Sequence, residues 1–212
     1  MMKIKVCGMN EPANITALAG LLPDYMGFIF YAGSPRVARM EELESVLNGL
    51  PSGIQKVGVF VNEEQDRVIE HAERLHLDLV QLHGDETDEY CRALGEEGIR
   101  IIKAFRISDE FSFDHISVCD FVENFLFDTS SERYGGSGNV FAWDKLKDYH
   151  QETPYFLSGG IGLDAQERLL GLDLQRLPYA VDINSKFEIR PGLKDVNLVS
   201  QFIRLLRHEI HN

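Results

Sequence analysis

Short apolar segments recur along the chain at residues 3–7, 26–30, 56–61, 79–83, 100–105, 125–129, 155–158 and 180–184. This repetition limits the possible folds more than any other feature. The segments are rich in Val, Ile and Phe and too short to span a membrane as helices. Near-continuous apolar runs suit parallel strands buried on both faces better than half-exposed antiparallel ones. Helical patterns fill the gaps. The clearest covers 63–75, where Val68, Ile69, Ala72 and Leu75 share a face and Asn62 stands as N-cap. Another begins at Asp195, with Val196, Val199, Phe202, Ile203 and Leu206 on one stripe. Alternating strands and helices imply right-handed crossovers and a parallel sheet. Repeated this often in 212 residues, they predict an α/β fold, a single (β/α)8 TIM barrel, with a doubly wound open sheet as the alternative. Residues 108–124 show no clean period and fit one helix or two short pieces equally well.

A chain with 44% hydrophobic and 26% charged residues can bury a sizeable core unaided, so residues 1–212 are expected to form one catalytic domain. Cys7, Cys91 and Cys119 are widely spaced, with no C-x-x-C pair, and read as free thiols in a reducing compartment. No secretory or membrane-spanning pattern is visible, which places the protein in the cytoplasm and away from membranes. The net charge of −13 argues against nucleic acid as a partner. An anionic ligand must then be held by local features against an unfavourable overall field. The histidines lack paired ligand spacing, so no metal site is expected.

A (β/α)8 barrel builds its active site at the C-terminal strand ends. The polar residues there are Cys7, Arg36 in the loop after the second strand, Gln81 and His83, Asp128, and Asp182. Glycines cluster at Gly135-Gly136-Ser137-Gly138 and at Ser158-Gly159-Gly160-Ile161-Gly162. Glycine lets backbone N–H groups approach an anion closely, and barrels often bind phosphate after strands seven and eight. Gly159, Gly160, Asn184 and Ser185 are therefore the candidate phosphate loop.

Seven segments also stand in a recognisable order: Lys5-Val6-Cys7-Gly8, Val57-Gly58-Val59-Phe60-Val61-Asn62, Val80-Gln81-Leu82-His83-Gly84, Phe127-Asp128-Thr129, Gly135-Gly136-Ser137-Gly138 with Phe141 and Trp143, Leu157-Ser158-Gly159-Gly160, and Pro191-Gly192-Leu193-Lys194-Asp195. In order and spacing, from about residue 3 to 206, the chain resembles the phosphoribosylanthranilate isomerase family of tryptophan biosynthesis. The resemblance implies an Amadori rearrangement of N-(5'-phosphoribosyl)anthranilate to 1-(2-carboxyphenylamino)-1-deoxyribulose 5-phosphate. It implies Cys7 as general base and Asp128 as general acid. Arg36 would meet the anthranilate carboxylate, Asp182 a sugar hydroxyl, and Gln81 and His83 the pocket wall, while the glycine loops hold the phosphate. The partner is a phosphorylated small molecule, and the protein itself is a monomer or homodimer. The turn after the eighth strand departs from the family: where a glycine usually follows the serine, this chain has Lys186. Its side chain is expected in solvent, with its backbone replacing the glycine at some conformational cost.

The chemistry calls for the same residue types. An acid must protonate the ribose ring oxygen as the anthranilate nitrogen forms a Schiff base, and a carboxyl can do this where its surroundings keep it protonated. A base must then take the proton from sugar C2. A thiolate suits that step if a nearby cation or dipole favours its ionisation. The Schiff base is its own electron sink, so no cofactor is expected. Read alone, Cys7 is a small buried hydrophobe, Asp128 a helix cap and Arg36 a surface charge. The rival readings are another phosphate-binding barrel isomerase and a barrel that binds a phosphorylated ligand without turning it over.

Overall fold

Eight strands pair in chain order, all parallel, and the last pairs with the first. They are β1 (Lys3–Cys7), β2 (Tyr25–Ile29), β3 (Gln55–Phe60), β4 (Leu79–Leu82), β5 (Ile101–Arg106), β6 (Val122–Asp128), β7 (Tyr155–Ser158) and β8 (Ala180–Ile183). The structure is a computed structural model that describes residues 2–108, 110–117, 119–128 and 143–208. The Gly135-Gly136-Ser137-Gly138 cluster, Thr129, Phe141 and His211 lie outside the described residues. The closed barrel is the expected one, and the open-sheet alternative is excluded because β1 and β8 pair from Lys3↔Ala180 to Val6↔Ile183.

Strand periodicity divides the core in two. Outward residues such as Ile4, Val6, Phe28, Val80 and Phe125 join the layer between barrel and helices. A second buried cluster contains Tyr25, Val57, Leu79, Ile102, Leu126, Phe156 and Ala180. Two residues further along the same strand faces come Gly27, Val59, Gln81, Ala104, Asp128, Ser158 and Asp182. One strand face thus turns from mainly apolar toward polar near the C-terminal end, as a packed barrel with an active mouth requires.

Around the barrel lie α1 (Pro12–Ala19), α2 (Met40–Asn48), α3 (Gln65–Arg74), α4 (Asp88–Glu96), α5 (Gln166–Leu170) and α6 (Val196–His208). The α6 stripe packs as predicted, with Val199, Phe202, Ile203 and Leu206 buried, and the Asp195 carboxylate caps the helix by accepting the N–H groups of Asn197 and Leu198. Helix α3 corrects one expectation. Its N-cap is Glu64, while Asn62 sits at a φ of 49° and its side-chain oxygen accepts the Asp85 N–H instead. An asparagine tolerates the left-handed region, and a tertiary partner outweighed the local cap. Among its described residues the aperiodic stretch holds a short 3-10 turn, Phe113–His115, and its last residues extend β6. Not anticipated was an antiparallel hairpin after β8, made of β9 (Glu188–Arg190) and β10 (Leu193–Lys194). Asn14 of α1 fastens it, donating to the Lys194 carbonyl and accepting the Lys194 N–H, both at 2.9 Å. Among the described residues no helix is long and apolar enough to cross a membrane.

Candidate active site

Cys7 is the last residue of β1 and Asp128 the last of β6, so both stand at the C-terminal end of the barrel. His83 follows β4, Asp182 lies within β8, and Arg36 and the Gly159-Gly160 turn lie in the loops after β2 and β7. Every candidate residue thus belongs to one rim. Side-chain contacts gather them into three groups.

The first group surrounds Cys7, which is 3% exposed. Register places Cys7 beside Gly27, where an added Cβ would lie 2.7 Å from the Cys7 sulfur and 3.1 Å from Lys5 Nζ. Gly27 therefore provides the space that both groups occupy. Lys5 is fully buried and donates from Nζ to Asp182 Oδ1 at 2.9 Å. Ser158 Oγ lies 3.4 Å from Asp182 Oδ2. Burial pushes the Cys7 thiol above its ordinary pKa, opposed chiefly by the Lys5 charge. Burial also favours a neutral Lys5, but Asp182 and Cys7 more than compensate and hold the ammonium charged. The cation called for beside the thiol is present; its effect is smaller than that of desolvation.

The second group links β4 to β6. Gln81 Nε2 lies 2.9 Å from His83 Nδ1, and His83 Nε2 lies 3.6 Å from Asp128 Oδ2. An amide N–H donating to Nδ1 selects the tautomer whose Nε2–H faces Asp128. Gln81 is 1% exposed, and its Oε1 has no hydrogen-bond partner among the described residues. Asp128 is fixed through its backbone, whose carbonyl accepts the Ile107 N–H at 2.8 Å, and register sets it beside Ser158. A cleft of about 350 Å³ opens next to His83, bordered by Asn62, Gly84, Lys103 and Arg106.

The third group is an ion cluster on the hairpin. Glu188 accepts from Arg36 Nε at 2.8 Å and from Arg36 Nη2 at 2.7 Å, and from Lys194 Nζ at 2.7 Å. Lys194 also donates to Asn184 Oδ1 at 2.6 Å. Burial would raise the Glu188 carboxyl, but Arg36 and Lys194 hold it below the ordinary carboxylate range; burial pulls Lys194 down. The Asn184 side chain is thus committed within the protein, and Ser185 is exposed. Gly159 and Gly160 have φ of 99° and 63°, so the turn after β7 needs residues without a side chain. Lys186 is exposed as expected, but the expected backbone cost is absent: it lies in a 3-10 turn and is not among the residues with positive φ.

Lys5, Ser158, Glu188 and Lys194 did not emerge as site residues from the sequence. Lys5 left a signal, since it shares a strand face with Cys7 in the middle of a strand predicted to be buried. Glu188 left none, because its partner Arg36 is 152 positions away.

Comparison with known proteins points to one family. Residues 4–205 match the family model described as N-(5'phosphoribosyl)anthranilate (PRA) isomerase. N-(5'-phosphoribosyl)anthranilate isomerase of Parabacteroides distasonis is 42% identical over 98% of this chain and 94% of its own. The crystal structure of phosphoribosyl anthranilate isomerase from Thermotoga maritima is 31% identical, with a TM-score of 0.82 over 98% of this chain and 100% of that one. A further such isomerase was crystallised with reduced 1-(o-carboxyphenylamino)-1-deoxyribulose 5-phosphate; it is 29% identical, with a TM-score of 0.78 over 98% of this chain and 100% of that one.

Proposed function

The chain belongs to the N-(5'-phosphoribosyl)anthranilate isomerase family of tryptophan biosynthesis, and we propose that Cys7 and Asp128 carry the two proton transfers of its Amadori rearrangement. The observation that carries this assignment is the placement of both at strand ends on one rim, with Cys7 buried beside a lysine. Asp128 protonates the ribose ring oxygen as the ring opens and the anthranilate nitrogen becomes a Schiff base. Cys7 then removes the proton from sugar C2. The electron pair moves into the C1–C2 bond, neutralising the iminium, and the enolamine tautomerises to the ketone.

The remaining groups hold the substrate. Arg36 keeps part of its guanidinium for the anthranilate carboxylate while Glu188 fixes the other part. The open acceptor of Gln81 takes a sugar hydroxyl, which relieves a buried unsatisfied oxygen that otherwise costs on the order of 1–3 kcal/mol. Asp182 and His83 border the sugar. Backbone N–H groups of Gly159, Gly160, Asn184 and Ser185 receive the phosphate.

Single substitutions test the assignment by following the loss of substrate anthranilate fluorescence. Cys7→Ala and Asp128→Asn each lower turnover on the order of 10²–10⁴-fold while a product analogue still binds. Retention of more than about a tenth of normal turnover by Cys7→Ala would exclude a base at this position.

A further inference from the structure

Lys5 stands two residues before Cys7 on β1, so both side chains leave the same strand face. Its ammonium has no solvent exposure, and its position is set by Asp182 Oδ1 at 2.9 Å and by the space over Gly27 that it shares with the thiol. A buried lysine is costly, and a carboxylate partner offsets that cost. A purely structural ion pair could sit at any depth of the barrel. This one sits against the sulfur.

The charged groups that bear on Cys7 are Lys5 from its own strand, Asp182 from β8, Lys194 from β10 and Arg36 from the loop after β2. Arg36 and Lys194 share the single Glu188 carboxylate, and of the cations it is Lys5, beside the sulfur over Gly27, that bears most on the thiol. Among the described residues Lys5 is paired with Asp182, whose second oxygen is near the Ser158 hydroxyl.

We propose that Lys5 is a positioning residue whose buried ammonium is the counter-ion that favours the thiolate form of Cys7 for proton abstraction, against its desolvation, with Asp182 limiting how strongly it does so. The inference rests on Cys7 being the base. In the step itself the substrate C2–H bond breaks and an S–H bond forms. The electron pair released from carbon neutralises the iminium, and Lys5 and Asp182 keep their charges throughout. Burial raises the thiol, Lys5 is the largest influence against that rise, and Asp182 reinforces it. The two partners should therefore act on the sulfur with opposite signs, which a merely structural pair would not do.

The test reads the sulfur directly. Protein labelled with ¹³C at cysteine Cβ is titrated by NMR, the Cys7 resonance being identified by its loss in Cys7→Ser. Lys5→Met moves the Cys7 titration to higher pH by about tenfold or more in proton concentration. It also shifts the pH profile of kcat in the same direction and lowers kcat at neutral pH by about the same factor, with KM changed little. Asp182→Asn moves the thiol titration to lower pH. An unmoved titration in Lys5→Met, or an upward one in Asp182→Asn, overturns the proposal. If Lys5→Met fails to fold because Asp182 is left buried and unpaired, Asp182→Asn decides alone: a downward shift supports the proposal, and an unmoved or upward one overturns it. Cys7→Ala separates this from the wider reading. If that variant keeps its turnover, the base assignment fails whatever the titrations give. If it is inactive while the titrations stay still, only the role of Lys5 fails.

Discussion

At the scale of single residues the site is governed by desolvation and by the charges that answer it. Burial favours the protonated Cys7 thiol, so in the folded protein it ionises above the pH at which a free thiol does. In the proposed mechanism the thiolate and the protonated Asp128 are the working forms, so the rate should rise as the Cys7 thiol ionises and fall as Asp128 loses its proton. The sign is opposite for stability. A raised folded pKa contributes stability below the unfolded thiol value and loses it as pH rises through the folded one, so conditions that activate the enzyme also weaken it slightly. A pH–rate profile without a rising limb in Asp128→Asn, where only the cysteine limb is left, would contradict a cysteine base. Arg36 should behave differently from Cys7 and Asp128: Arg36→Met should raise KM as well as slow turnover, because it removes the contact proposed to the carboxylate-bearing ring. Cys7, Asp128 and Arg36 could be selected from the sequence because strand-end position gives a polar residue meaning. Their partners could not, since an ion pair such as Arg36 with Glu188 leaves no local pattern.

At the scale of elements, the β9–β10 hairpin controls more than its five residues suggest. It brings Glu188 and Lys194 to the rim, and Asn14 ties it to α1. Glu188→Gln leaves Lys194 buried beside a neutral amide, and breaking a buried pair costs roughly 3–5 kcal/mol. Urea denaturation should register that loss, and steady-state kinetics should show a raised KM as Arg36 loses its anchor. The pH dependence follows from the depressed Glu188 carboxyl. Its stabilisation is present above the ordinary carboxyl value of 4.5 and is lost as pH falls through the lower folded value, so Glu188→Gln should flatten part of the acid limb of stability. The hairpin escaped the sequence reading because its strands are very short and Pro191-Gly192 between them reads only as a turn.

At the scale of the whole molecule, closure of β1 on β8 joins the two ends of the chain, and the outer hydrophobic layer runs without a break from Ile4 to Leu206. We expect one cooperative unit. Trp143 is the only tryptophan and is buried, with the Arg168 guanidinium 4.2 Å from its ring centroid, so its fluorescence reports tertiary packing. Urea transitions followed by this fluorescence and by far-UV circular dichroism should coincide; separated midpoints would reveal independent parts. The sequence by itself determined the number of barrel strands, the barrel and the family, because buried parallel strands impose a repeating apolar pattern, and it pointed to the rim, because strand ends carry the chemistry. Only the tertiary structure decided which charge answers which. Lys5 meets Asp182 and Arg36 meets Glu188 across separations of 177 and 152 residues, and contacts that distant are set by barrel closure and strand register rather than by any local preference of the chain.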